Sequence, residues 1–425
     1  MLANITTPLL GIVATAAIGR LGDAAILGGV GMASVVFDCL FWLFGFLRMA
    51  AIALTAQALG AGDMGEQRAV LARSLIVAAA IGAALIGLQQ PLAAVIFPSL
   101  GGSDAVNAAA RIYFHIRLWS APFALSNYVF VGWLVGLARP GLALAIQIAI
   151  NLVNMALTVT LVLGFDYGVA GAAGAAVIAE MLGLALGFIF AARMLRGAVL
   201  PPTATIFDRA RLLRMLSINR DIMIRTAALI GAYLFFVSRG ARAGDVTLAA
   251  NAVLHNLTLV GSFFLDGIAN AAEQLCGRTY GARDRKAFTR VVDLVLRWGV
   301  AFGGGASAMF FLFGRAFIDH MTSSPQVQQA AHDHLWLMAL TPLCGALAFC
   351  YDGIYIGATW ARDMRNLMVA AFIGYLLVWW IAQPLGNTGL WLALLSFFLW
   401  RAALQMARYP ALVRTTFSTP APASS

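Results

Sequence analysis

The sequence predicts an all-α integral membrane protein, with twelve transmembrane helices in two parallel six-helix lobes related by a pseudo-two-fold along the membrane normal. Composition is the first reason. Of 425 residues, 61% are hydrophobic and 11% charged, against roughly 45–50% and about 25% in soluble domains. Length of the apolar runs is the second. They recur along the whole chain, many near the ~20 residues that a helix needs to cross a bilayer, and no polar block is large enough for a separate soluble domain. An open sheet cannot cross lipid with unpaired backbone groups, and the alternation of barrel strands is absent. The third reason is a repeat. Gly60 and Gly281, Ala109 and Ala330, Gly132 and Gly353, and Gly136 and Gly357 are each 221 positions apart, within locally similar sequence. Six helices per repeat is an even number, so both halves enter the membrane in the same sense, as in parallel-repeat transporters.

The expected spans are 1–19, 25–59, 70–97, 105–138, 143–164, 168–196, 217–239, 246–280, 288–318, 326–360, 366–384 and 388–411. The opening MLANITTPLLGIVATAAIG has no basic leader and no convincing cleavage site, so it reads as a helix that begins abruptly and not as a signal peptide. The second span carries Asp38 and Arg48, the fourth Arg117, and the sixth Glu180. In the fifth, Gln147, Asn151 and Asn154 recur at helical spacing, an uncharged stripe suited to interhelical hydrogen bonds or to lining a substrate cleft. Residues 1–196 form one lobe and 217–425 the other, joined by a linker over 197–216 that contains Pro201-Pro202 and several arginines.

The formal charge of +10 would suggest nucleic acid in a soluble protein. Here the basic residues, among them Arg68, Arg139, Arg214, Arg225, Arg283 and Arg362, fall at alternate connections or helix ends. The opposite connections hold chiefly Arg20, Arg239, Arg242 and Arg315. The positive-inside rule then places both termini and the linker in the cytoplasm, and excludes a nucleic-acid role. Lys286 is the sole lysine, which suggests a GC-rich bacterial genome and hence a cytoplasmic (inner) membrane. Cys39, Cys276, Cys344 and Cys350 lie in apolar spans without a CxxC pair and read as packing residues.

The eighth span poses the functional question. In LDGIANAAEQLCG, Asp266 and Glu273 are seven residues apart, about 20° short of two helical turns, so they share a face. Asn270, His255, Asn251 and Ser262 continue roughly the same stripe. A carboxylate at mid-bilayer costs about 2.5–3.5 kcal/mol on insertion scales, so this helix should line a polar cavity. Pairing of the acids purely to hold the lobe together is the competing expectation. Asp352 and Tyr355 lie in YDGIYIGAT, where Gly353 and Gly357 allow close helix approach. Three acids in one lobe suit groups that load and release protons. Asp293 and Arg297 form an ordinary i, i+4 pair. No GxxxxGK[ST], HExxH or GxSxG is present, which removes a P-loop ATPase, a zincin and a serine hydrolase. No resident metal or cofactor is implied, and nothing points to an enzyme.

GAGDMGEQRAVLARS, LDGIANAAEQLCGRTYGA, DGIYIGATWARDMRNLM and GNTGLWLAL, in that order, resemble the multidrug and toxic compound extrusion (MATE) family, in its DinF-like branch. The resemblance implies two six-helix lobes around a central cleft. It implies export of organic, amphipathic cationic compounds in exchange for H+ or Na+ by alternating access, by a monomer in the lipid bilayer. Two departures stand against the family pattern. Where the first helix should carry an acid the chain has Ala14, and Thr158 stands at the second acid of the fifth helix. Neither titrates in range. Cation coupling is therefore expected at Asp266, Glu273 and Asp352, with Asp38 as a relocated first-lobe acid. Two other functions fit the same fold: a lipid-linked oligosaccharide flippase, which should carry a more cationic cleft, and a transport-impaired regulatory or binding protein.

Overall fold

A computed structural model describes residues 10–11, 13–14, 16–20, 23–195 and 202–418, and among them the chain is helical with no strand. Most of the first expected span lies outside the described residues, but those of 10–19 that are described are helical. The elements that follow are α1 (Ala24–Leu43), α2 (Phe46–Gly60), α3 (Met64–Gly87), α4 (Gln89–Ser99), α5 (Asp104–Leu118), α6 (Ala121–Gly136), α7 (Pro140–Val159) and α8 (Gly168–Met194). A short α9 (Thr203–Ile206) precedes α10 (Arg209–Arg242), α11 (Asp245–Gly281), α12 (Arg285–Met321), α13 (Pro325–Gly357), α14 (Ala361–Ala382) and α15 (Gly386–Ser418).

Among the described residues, nine helical stretches are long and apolar enough to cross a membrane, or ten when α5 and α6, bent by 54°, count as one span. One of these, Ala361–Ser418, is broken by a 3₁₀ turn at Gln383–Leu385 and by Gly386 at φ 59°, and holds the last two expected spans. With the first helix this accounts for twelve. Large apolar side chains such as Val35, Val95, Leu312, Trp380 and Ile381 are exposed, as lipid-facing surfaces require.

The chain forms two compact units, one of residues 1–55 and 63–215, the other of residues 56–62 and 216–425. The end of α2 thus packs as part of the second unit. In the first, α1 lies against α5, α3 against α6, and α8 against α5, α6 and α7. In the second, α13 is the central helix, flanked by α11, α12 and α15. Its core runs through Phe236, Leu254, Phe310, Leu337, Trp391 and Phe398.

The 221-residue repeat is written into the backbone. Asp63 caps α3 by accepting from the Glu66 N–H at 2.8 Å, and Asp284 caps α12 by accepting from Ala287 at 2.9 Å. The left-handed residues before these caps correspond as well, Gly62 at φ 71° and Arg283 at φ 56°, as do Ala138 at φ 58° and Thr359 at φ 54°. Helix approach repeats in the same way. A Cβ on Gly132 would fall 2.5 Å from the Arg48 carbonyl and one on Gly136 2.8 Å from that of Ile52. On α13 the equivalent Gly353 and Gly357 meet the carbonyls of Ala269 and Glu273. The GxxxG pairs therefore bring α6 onto α2 and α13 onto α11.

Candidate functional site

In the second unit, the close approach of α13 and α11 at Gly353 and Gly357 sets the helix bearing Asp352 beside the helix bearing Asp266 and Glu273. Asp352 is 3% exposed and sits in a polar cluster drawn from three helices. Arg225 of α10 donates from Nη2 to its Oδ2. Arg401 of α15 donates from Nη2 to the same oxygen at 2.5 Å, and Gln405, one turn along α15, donates from Nε2 to Oδ1 at 2.8 Å. Arg401 is 1% exposed, with its guanidinium centre 5.4–5.7 Å from the ring centroids of Phe349, Phe397 and Phe398. The Tyr355 hydroxyl donates to the Gln405 carbonyl at 2.7 Å, so this tyrosine serves the same α13–α15 junction.

This arrangement changes how Asp352 is read. The sequence grouped it with Asp266 and Glu273 as a proton-loading set, but its carboxylate is engaged by two guanidinium groups and an amide. A proton arriving there would leave two buried cations without that counter-charge. Through these contacts Asp352 joins α13 to α10 and α15. Glu273 is 2% exposed, while Asp266 and Asn270 are partly buried on the same helix face. His255 is partly buried, its ring 5.5 Å from that of Tyr233. Asn251 is structural: it exchanges amide hydrogen bonds with Asn387 at 2.8 and 3.0 Å, and its Oδ1 accepts from Trp391 at 2.9 Å.

In the first unit, Ala14 is partly buried and offers no polar group. Thr158 is 2% exposed and donates to Asn154 Oδ1 at 3.1 Å, so the position of the second family acid is an uncharged hydrogen-bonded pair. Asn151 and Asn154 are each 7% exposed and Gln147 is partly buried. Asp38 is exposed on α1, within the field of Arg117. Arg117 stacks over Phe37 at 5.3 Å, donates from Nη1 to the Tyr113 hydroxyl oxygen at 3.2 Å, and also feels Glu180. Glu180 of α8 accepts at Oε2 from Asn127 Nδ2 at 2.7 Å. The polar centre of this unit is thus Glu180, Arg117 and Asn127.

Three participants, Arg401, Gln405 and Glu180, are not among the site residues that the sequence points to. Arg225 was placed with the cytoplasmic charges, yet it lies within α10 at 6% exposure. The available signal was their setting, since SFFLWRAALQ and GAAVIAEMLG each place one charge amid apolar residues.

Comparison with known proteins agrees with this architecture. The MatE family profile matches residues 1–160 and again 222–382, two halves displaced by the offset of the internal repeat. The DNA damage-inducible protein F of Escherichia coli is 38% identical over 397 residues, covering 93% of this chain and 86% of that protein. A probable multidrug resistance protein NorM of Caulobacter vibrioides is 29% identical, covering 78% of this chain and 72% of its own. Among solved structures, a MOP superfamily transporter from Pyrococcus furiosus superposes with TM-score 0.87 at 17% identity, covering 98% of this chain and 94% of that one. An outward-facing multidrug resistance MATE transporter gives 0.86 at 18%, with the same coverage. The chain belongs to the MatE family and is a multi-pass membrane protein.

Proposed function

We propose that this member of the MatE family is a secondary active exporter that moves organic, amphipathic cations out of the cell in exchange for H+ by alternating access. Na+ is the other coupling ion its acids could accept. The observation that carries the proposal is the double MatE match, with an ionisable cluster inside each matched half's compact unit. Intramembrane ionisable groups are costly and mark ion or substrate pathways. The distribution of arginines supports cytoplasmic termini, the bacterial relatives support a bacterial inner membrane, and the absence of GxxxxGK[ST], HExxH and GxSxG supports a non-enzymatic role.

In the second unit coupling is assigned to Asp266 and Glu273, which share the helix face whose polar stripe includes Asn270. In the first unit, where Ala14 and Thr158 cannot carry a proton, Glu180 is the acid in position to do so, held by Asn127 and opposed by Arg117. Inside-out vesicles loaded with ethidium and energised by a pH gradient test this. Asp266→Asn, Glu273→Gln and Glu180→Gln should each reduce proton-driven transport while leaving the protein folded, and a protonophore should abolish it. Undiminished pH-driven transport in all three variants would refute the assignment. A sodium-gradient arm identifies the ion.

A further inference from the structure

We infer that the second unit contains a small-anion site, for a halide or a carboxylate group, built on the guanidinium groups of Arg401 and Arg225. The cluster holds two guanidinium cations and, among the groups in direct contact with them, one carboxylate, Asp352. The Tyr233 hydroxyl lies in the field of Arg401, Arg225 and Asp266. Nε and Nη1 of Arg401 and Nε of Arg225 are buried with no hydrogen-bond partner among the described residues. Unpaired N–H groups on a buried cation are among the costliest features a fold can retain, and each calls for an occupant. Water would satisfy the donors but add no negative charge beside the rings of Phe349, Phe397 and Phe398. An anion does both.

The internal repeat supplies an independent argument. Arg401 and Glu180 are 221 positions apart, so the two halves carry opposite charges at one equivalent place. The residues equivalent to Asp352 and Gln405 are Val131 and Leu184, which have no polar group at all. The second half therefore carries a cation with a carboxylate counter-ion, where the first half carries a carboxylate bonded to Asn127 in the field of Arg117. Asp352 partly neutralises the site and limits how tightly an external anion is held. This site does not depend on the exporter assignment above, which could fail without affecting it.

The test uses the full-length protein in nanodiscs. Sodium bromide, chloride and acetate are titrated at constant ionic strength, the balance being the salt of a bulky sulfonate, while the thermal unfolding midpoint is followed. The expected result is a saturable rise with at least one of these anions. A response to halides alone assigns the site to inorganic anions, and a response to acetate assigns it to carboxylates as well. Arg401→Gln should remove the response. Asp352→Asn should tighten binding at least ~10-fold, because a neighbouring negative charge has been removed from a weakly screened site. Crystals grown in bromide provide the check that survives a misfolded variant: an anomalous peak should lie against Arg401 and Arg225. No saturable response, a response unchanged in Arg401→Gln, weaker binding in Asp352→Asn, or a water without anomalous signal at the site would each overturn the inference.

Discussion

Replacing Asp352 by Asn keeps the shape of the side chain and removes one charge from a site where charge is hard to replace. The residue is 3% exposed, and its partners Arg225 and Arg401 are 6% and 1% exposed. Asparagine can still accept from Gln405, but its amide end presents N–H groups to guanidinium donors. Breaking a buried ion pair from one side costs about 3–5 kcal/mol, because the surviving charge stays buried. In a unit of this size each kcal/mol lowers the melting temperature by about 2–4 °C, so a fall of roughly 6–20 °C is expected. Tryptophan fluorescence on heating reads it in nanodiscs, in a buffer whose only anion is a bulky sulfonate. A companion variant, Asp352→Asn with Arg401→Met, should lose less than the sum of the two single variants, since one of the stranded cations has gone. Melting of Asp352→Asn within about 2 °C of the unsubstituted protein would refute the reasoning, because it falls below the ~3 kcal/mol lower bound. So would strict additivity in the double variant.

Other perturbations test the packing that places these charges. Gly357→Leu puts a branched side chain where a Cβ alone would meet the Glu273 carbonyl at 2.6 Å and the Gly277 nitrogen at 3.0 Å. It should abolish a monodisperse peak in size-exclusion chromatography, while Gly304→Ala, in open space on α12, should leave the peak unchanged. Asn251→Leu deletes the amide that joins α11 to Asn387 and Trp391 and should cost about 2–4 kcal/mol, read as a lower unfolding midpoint. Glu66 binds both Arg73 and Arg211 and thereby ties the start of α10 to α3. Arg211 is 48% exposed and its pairing is worth little, but Arg73 is 2% exposed, so Glu66→Gln should cost about 3 kcal/mol, read as a lower unfolding midpoint with faster amide exchange over residues 203–211.

Helix number, the repeat and the glycine contacts were legible because they depend on local pattern. A span needs only a sufficient apolar length, and a GxxxG pair states the approach it permits. The repeat could be found from a few glycines and alanines because those residues mark left-handed turns and close crossings that side chains would obstruct. The charged centres were less legible. Asp352 looked like a member of an acid cluster because its sequence neighbours are apolar and its true partners, Arg225 and Arg401, lie 127 and 49 residues away. Arg225 was grouped with the cytoplasmic arginines because its span was expected to start at 217, whereas α10 begins at Arg209 and extends well beyond the apolar stretch. Sequence spacing reports which residues share a helix face. It does not report which face of another helix they meet.

Duplication explains how one scaffold can hold clusters of opposite character. The equivalence of Gly132 with Gly353 and Gly136 with Gly357 fixes the α2–α6 and α11–α13 crossings, so these cannot drift without steric overlap. Positions on the helices around them are under no such restraint and are free to change charge, provided each buried charge is answered within its own unit. Glu180 is answered by Asn127 and the field of Arg117. Arg401, at the equivalent place, is answered by Asp352, whose counterpart Val131 could not have served. The arginine at this position is thus accompanied by a carboxylate on α13, and Arg225 is a second guanidinium on that same carboxylate. A purely structural ion pair gains little from a second guanidinium on the same carboxylate, because each buried cation adds desolvation cost. A site that must attract and release an anion does gain from it, since the surplus charge draws the anion in while Asp352 keeps it from binding too tightly.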